Sequence, residues 1–216
     1  MAKEQLTREE FDAHMRKKTL RLSFVGMSNA GKSYRSKVLR DEFDFFWYEI
    51  DGEIQKALGF ADMSEISNWM GYPTAPGYTE REKKYLDLED EFTRHAGMRM
   101  GGRNLVFDTT GSVIHLSPAT HGVLKGNTLM VHLDVGEESL TQMAERFFLE
   151  PKPVAWCDHF HMQSEETESA ALRRCFPMLL NERLARYRTL AHLNIPASEV
   201  FDRSGKETLA IIRSHL

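Results

Sequence analysis

Hydrophobic residues fall into short dense runs separated by longer stretches in which they recur every three or four positions, and the two textures alternate along the chain. The runs predict strands and the periodic stretches predict helices. Leu20-Arg21-Leu22-Ser23-Phe24-Val25 is the first strand. Residues 43–50, a dense aromatic run, form the second, with the composition of a strand buried on both faces. Residues 104–108 and 128–135 are the third and fourth, and His192-Leu193-Asn194-Ile195 is a weaker fifth.

Helices are predicted over 33–41, 52–59, around 64–70, 79–96 and 137–148. In the longest, Tyr78, Tyr85, Leu88 and Phe92 share an apolar face, and in the last, Leu140, Met143, Ala144 and Phe147 do so. Pro177 suits the first turn of a helix reaching about Ala191, because an N–H there would have no partner anyway. Two capping boxes, Thr7-Arg8-Glu9-Glu10 and Ser204-Gly205-Lys206-Glu207, open the first and last helices, which end near Lys18 and Ser214. Alternating strands and helices imply a parallel sheet covered on both faces, a three-layer α/β/α sandwich. The Gly/Pro stretch 71–77 fits a substrate flap or an ordinary helix connection. Residues 149–166, with Pro151, Pro153 and little periodicity, form an excursion from the sheet.

With 216 residues, 41% hydrophobic, the chain has material for one α/β core and none to spare for a second full domain. The expected organisation is an N-terminal helical extension, 1–19, and a single domain, 20–216. A net charge of -4 argues against a nucleic-acid polymer as partner. Two cysteines, Cys157 and Cys175, suit a reducing compartment, and no apolar run is long enough to span a bilayer, so the expected location is the cytoplasm.

Chemistry enters with Gly26-Met27-Ser28-Asn29-Ala30-Gly31-Lys32-Ser33, which matches the phosphate-loop pattern Gly-x-x-x-x-Gly-Lys-Ser/Thr, between a strand and a helix as that motif requires. Its glycines let the backbone N–H groups of Ser28, Asn29, Ala30 and their neighbours converge, and the following helix N-terminus adds a positive dipole end. Lys32 is expected at the β and γ phosphates of ATP, and Ser33 at a magnesium ion. Asp108 and Glu49 close neighbouring strands, where an acid can help hold that ion. Asp108-Thr109-Thr110-Gly111 also spells Asp-x-x-Gly, which keeps a GTPase in view, but no Asn/Thr-Lys-x-Asp stretch is present to read guanine.

Further matches follow in order: Tyr48-Glu49-Ile50-Asp51-Gly52-Glu53-Ile54, Tyr78-Thr79-Glu80-Arg81-Glu82, Gly111-Ser112-Val113, and Asn181-Glu182-Arg183 before Tyr187. With the phosphate loop, this series resembles shikimate kinase and its relatives among the small P-loop kinases, over roughly residues 20 to 210. The resemblance implies a five-stranded parallel sheet of order 2-3-1-4-5 and a lid over about 149–166. It implies transfer of a phosphoryl group from ATP, with Mg2+, to a hydroxyl of a small metabolite. It places Asp51 at the acceptor hydroxyl as base and Glu49 near magnesium. Arg183 falls on an anionic group of the acceptor, Arg146 on adenine with Tyr34 beside the nucleotide, and Lys152 near the transferred phosphate. Gly111, with Thr109 and Thr110 in place of two glycines, falls on the acceptor, as does Thr79 in place of an arginine. These departures imply an acceptor other than shikimate. A nucleotide-binding regulator without catalysis is the alternative.

Cys157, Asp158, His159 and His161 are metal-ligand types close together, but structural zinc draws paired ligands from two segments, so a polar lid is expected instead. Trp47, Trp69 and Trp156 are expected as core, loop anchor and lid surface, and Arg173-Arg174 as an exposed helical pair.

Overall fold

The computed structural model describes residues 6–99 and 101–216. Among them, β1 (Arg21–Val25), β2 (Phe46–Glu49), β3 (Leu105–Asp108), β4 (Leu129–Asp134) and β5 (Leu193–Pro196) form a parallel sheet ordered β2-β3-β1-β4-β5. Helices cover both faces: α1 (Arg8–Lys17), α2 (Lys32–Phe43), α3 (Ile50–Leu58), α4 (Met63–Met70), α5 (Tyr78–Met98), α6 (Pro118–Asn127), α7 (Leu140–Leu149), α8 (Glu168–Leu190), α9 (Ala197–Val200) and α10 (Gly205–Ser214). The expected fold class and strand order are therefore present. β1, β3 and β4 lie inside the sheet, and Leu22, Phe24, Val106 and Val131 are wholly buried, as near-continuous apolar runs require.

Register sets the active edge. Phe24 lies beside Asp108 and Val131, and Glu49 beside Asp108, so β1, β2 and β3 end level. The chain leaves that edge at Gly26, Ile50 and Thr109, and a crevice opens outside the strand ends.

Several local expectations need correction. β2 is the edge strand, and its Phe46, Trp47 and Tyr48 are only partly buried. Cations cover what the sheet does not: Arg99 lies 4.3 Å above the Phe46 ring, and Lys37 and Arg40 stand 5.3 and 5.1 Å from Trp47. Pro177 sits inside α8, which starts at Glu168, nine residues before the proline, under the Thr167 cap. The buried face of α8, Ala171, Leu172, Cys175 and Phe176, runs straight through to Leu179 and Leu180, and that packing outweighs the missing backbone bond. Trp156 is a core residue and not lid surface, packed 5.4 Å from Phe176. Trp47 is no core residue, and Arg174 is tied to Glu166 at 2.7 Å instead of standing exposed.

Both capping boxes form, Thr7 with Glu10 and Ser204 with Glu207. α1 lies against α10 through buried Phe11 and an Asp12–Arg213 ion pair at 2.7 Å. Residues 1–5 of the expected N-terminal extension fall outside the described residues.

Candidate active site

The phosphate loop turns between β1 and α2 through three residues in left-handed conformations, Gly26, Asn29 and Gly31, at φ 141°, 66° and 93°. Gly26 is required twice over, because a Cβ there would lie 3.0 Å from the Leu133 carbonyl oxygen. Lys32, buried at the start of α2, donates to the Gly26 and Met27 carbonyls at 2.9 and 2.8 Å. Burial lowers its pKa to about 8, opposed by the carboxylates of Asp51 and Asp108. The loop thus holds a cation inside a ring of its own backbone.

At the base of that ring the Ser33 hydroxyl donates to Asp108 Oδ2, while Trp47 Nε1 donates to Asp108 Oδ1 at 2.7 Å. Both carboxylate oxygens are thereby aimed. Glu49, next to Asp108 in register, has its pKa raised by burial and then by the charges of Asp108 and Asp51. Asp51 stands in the first turn of α3, its pKa raised chiefly by burial and held down by Lys32, with the Tyr85 hydroxyl 3.4 Å from Oδ1.

A cavity of about 410 Å³ opens beside this corner. Ser28 and Asn29 of the loop, Asp51, Thr110, Gly111 and Arg183 line its polar side. Met63, Met143, Phe147, Phe176 and Leu180 are among its apolar lining. Arg183 reaches it from α8, buried, donating to the Ala155 carbonyl at 2.8 Å. A Cβ on Gly111 would meet its guanidinium at 3.3 Å, so a side chain there would crowd the arginine. Under the wall, Glu89 is wholly buried and accepts from the Ser112 hydroxyl, which is 3.0 Å from the Thr110 hydroxyl. Burial raises the Glu89 pKa to about 7. Tyr187 closes the back, donating to the Gly111 carbonyl.

From residues 149–166, Glu150, Lys152, Pro153 and Val154 line the cavity as well. Lys152 donates to Asn29 Oδ1 at 2.6 Å, across the mouth of the phosphate loop. Farther along, Glu82 Oε1 accepts from the Trp156 and Cys157 backbone N–H groups at 2.6 and 2.9 Å and from the Tyr78 hydroxyl at 2.6 Å. In the Cys/His stretch, burial pushes the Cys157 thiol up to about 12, and His159 pairs with Glu182.

The structure thus brings Lys32, Ser33, Asp108, Glu49, Asp51, Arg183 and Lys152 around one crevice, with Thr110 and Gly111 in its wall. It does not bring in Thr79, exposed in the first turn of α5, or Thr109, whose buried hydroxyl donates to the Phe24 carbonyl at 3.0 Å. Arg146, expected at adenine, lines the same cavity as Asp51 and Arg183 and pairs with Glu150 at 3.3 Å. Tyr34 instead borders a neighbouring cavity with Arg35, Arg188 and Ala197, reached from the same Asn29 and Gly31. Tyr85, Glu89, Ser112 and Trp47 were not singled out in the sequence as members of this crevice. Tyr85 and Glu89 are one helical turn apart, which was the available signal.

Neither the protein-family models nor the curated proteins contain a match to this chain. Solved structures do. Shikimate kinase from Bacteroides thetaiotaomicron superposes with a TM-score of 0.59 at 16% identity, over 90% of this chain and 97% of that one. Shikimate kinase from Acinetobacter baumannii, in complex with shikimate, gives 0.59 at 20% identity over 93% and 92%. The enzyme from Aquifex aeolicus gives 0.55 at 17% identity over 89% and 94%. At these identities the likeness is one of architecture, and what the chain shares with them is the P-loop α/β fold of the shikimate kinases.

Proposed function

We propose that this protein is a kinase that moves the γ-phosphoryl group of MgATP to a hydroxyl of a small metabolite. The observation that carries the reading is that Lys32 in its backbone nest, the half-buried Asp51 and the buried Arg183 border a single crevice under a bridged lid. Phosphoryl transfer asks for a cradle, concentrated positive charge and a carboxylate at the nucleophile, and little covalent chemistry beyond that.

In this reading the loop amides from Gly26 to Ser33 and the Lys32 ammonium hold the β and γ phosphates, with Tyr34 beside the nucleotide. Asp51 orients the acceptor hydroxyl and takes its proton, the role general bases play at a developing nucleophile. Arg183 binds an anionic group of the acceptor, with Thr110 and Gly111 shaping the wall. Lys152 adds charge on the lid side, and the lid excludes water. The corner suits magnesium: the Ser33 hydroxyl and the Asp108 carboxylate are hard oxygen donors in contact, with Glu49 alongside. When bound, that ion neutralises charge on the phosphate oxygens.

The acceptor differs from shikimate in this reading. Arg183 is the buried arginine among the cavity's lining residues, Thr79 faces solvent, and Met63, Met143, Phe147 and Phe176 make much of the wall. The test is ADP release from MgATP across a pooled panel of sugar acids, nucleosides, nucleoside monophosphates and shikimate, with Lys32→Ala as control. Acceptor-dependent release lost in the control supports the proposal. ATP binding with silence across the panel favours a regulator.

A further inference from the structure

A second cavity, about 530 Å³, lies at the opposite edge of the sheet, where β1 to β4 begin. One strand length of roughly 16 Å, five residues at about 3.3 Å each, separates that edge from the phosphate loop. Its floor is apolar: Leu20, Phe46, Leu105 and Leu129. Its rim carries Arg21, Arg99, Arg103 and Lys125, with His14 and His192, and among the described residues no aspartate or glutamate lines it. In a chain with 32 acidic and 28 basic residues, that is a local reversal of the overall charge.

Two of the four cations are built into the wall. Arg21 reaches across to the Gly97 carbonyl at 2.7 Å, and Arg103 is tied to Asp44. The other two face the opening differently. Arg99 lies over Phe46, its Cζ 4.3 Å from the ring centre, and a guanidinium over a ring keeps its N–H groups free to take an anion. Among the described residues no acceptor takes a hydrogen bond from the Arg99 guanidinium or from the Lys125 ammonium. A cation over an aromatic ring beside an apolar floor is the arrangement that receives a flat apolar body bearing an anionic group. The volume is that of a pocket for a small molecule.

We propose that this cavity is a second ligand site, separate from the phosphoryl-transfer crevice, which binds a small amphipathic anion: an apolar ring or short chain carrying a carboxylate, sulfonate or phosphate. The apolar part lies on Phe46, Leu105 and Leu129, and the anion lies between Arg99 and Lys125.

The test uses the full chain and the fluorescent anion 1-anilinonaphthalene-8-sulfonate, with the uncharged N-phenyl-1-naphthylamine as its partner probe. The expected result is saturable binding of the anion whose affinity falls at least tenfold in Arg99→Glu/Lys125→Glu, two exposed positions, while the circular dichroism spectrum is unchanged. Lys152→Glu, at the other cavity, leaves that affinity where it was. The uncharged probe binds more weakly and ignores the double substitution. The proposal is overturned if no saturable binding occurs, if the double variant binds the anion as well as the parent, if Lys152→Glu is what weakens it, or if the uncharged probe binds equally well. None of these outcomes depends on kinase activity.

Discussion

Lys152 and Asn29, 123 residues apart in sequence, meet at 2.6 Å, so that segment 149–166 is bridged to the phosphate loop itself. Both side chains are exposed, and one exposed hydrogen bond contributes little to global stability. In the proposed reaction, however, the ammonium stands at the mouth of the phosphate cradle. Lys152→Ala is expected to lower kcat by tenfold or more while the melting temperature stays put, and Lys152→Arg to keep most of the rate. A melting curve and a kcat measurement on each variant check this.

Asp51 is the group whose removal most directly probes the chemistry. Asp51→Asn keeps the shape and loses the base, and general-base contributions are typically about 10²–10⁴-fold in rate. The expected outcome is a loss of turnover in that range with ATP affinity, read by calorimetry, within about twofold of the parent.

Glu89 gives a prediction about stability and pH. Its folded pKa, about 7, lies above the ordinary 4.5 because burial disfavours the charged form. In the unfolded chain the carboxyl ionises above about 4.5. The cost of keeping it buried therefore grows as pH rises from 4.5 and levels off above 7, with a total on the order of 3 kcal/mol at 1.36 kcal/mol per pH unit. Glu89→Gln removes that titration. Urea unfolding of parent and variant at pH 5 and pH 8 is expected to show the variant gaining on the parent at the higher pH. Equal differences at the two pH values would mean that Glu89 stays ionised in the fold.

Glu82 anchors the middle of segment 149–166, where one carboxylate oxygen accepts from the Trp156 and Cys157 backbone N–H groups. Losing it leaves the Cys157 N–H without its acceptor, and each such orphan costs roughly 1–3 kcal/mol. Glu82→Ala is expected to lower stability by about 2 kcal/mol and to speed limited proteolysis within 149–166, measured by urea titration and by mapping the first cleavage sites.

How much of this was legible in the sequence depended on whether the cause was local. The phosphate loop was legible because its chemistry is a run of backbone conformations, and only the glycines at 26 and 31 fit two of them. The inner strands were legible because burial on both faces leaves an apolar run. Phe46, Trp47 and Tyr48 carry the same composition at the sheet edge, where Arg99, Lys37 and Arg40 supply the cover, and no local pattern reveals cations brought from other elements. Pro177 misleads for the same reason: its local chemistry favours a helix start, while the face of α8 that packs on the core continues through it. α6 went unread although Ser117, which caps it by accepting from Thr120 N at 3.2 Å, stands before Pro118. The spacing that places Tyr85 on a helix face cannot say that this face meets Asp51. Glu89 is legible as chemistry only once Ser112 and Thr110 are seen beside it.

The central claim is that a phosphoryl group leaves ATP for a carbon-borne hydroxyl and not for water. Incubation with ATP labelled in its γ-phosphate and a pooled panel of hydroxylated metabolites, followed by separation of phosphate monoesters from inorganic phosphate, reads that directly. The account predicts label in a phosphate monoester, formed by the parent and not by Lys32→Ala. Label confined to inorganic phosphate, or left on ATP whatever the acceptor, would contradict it.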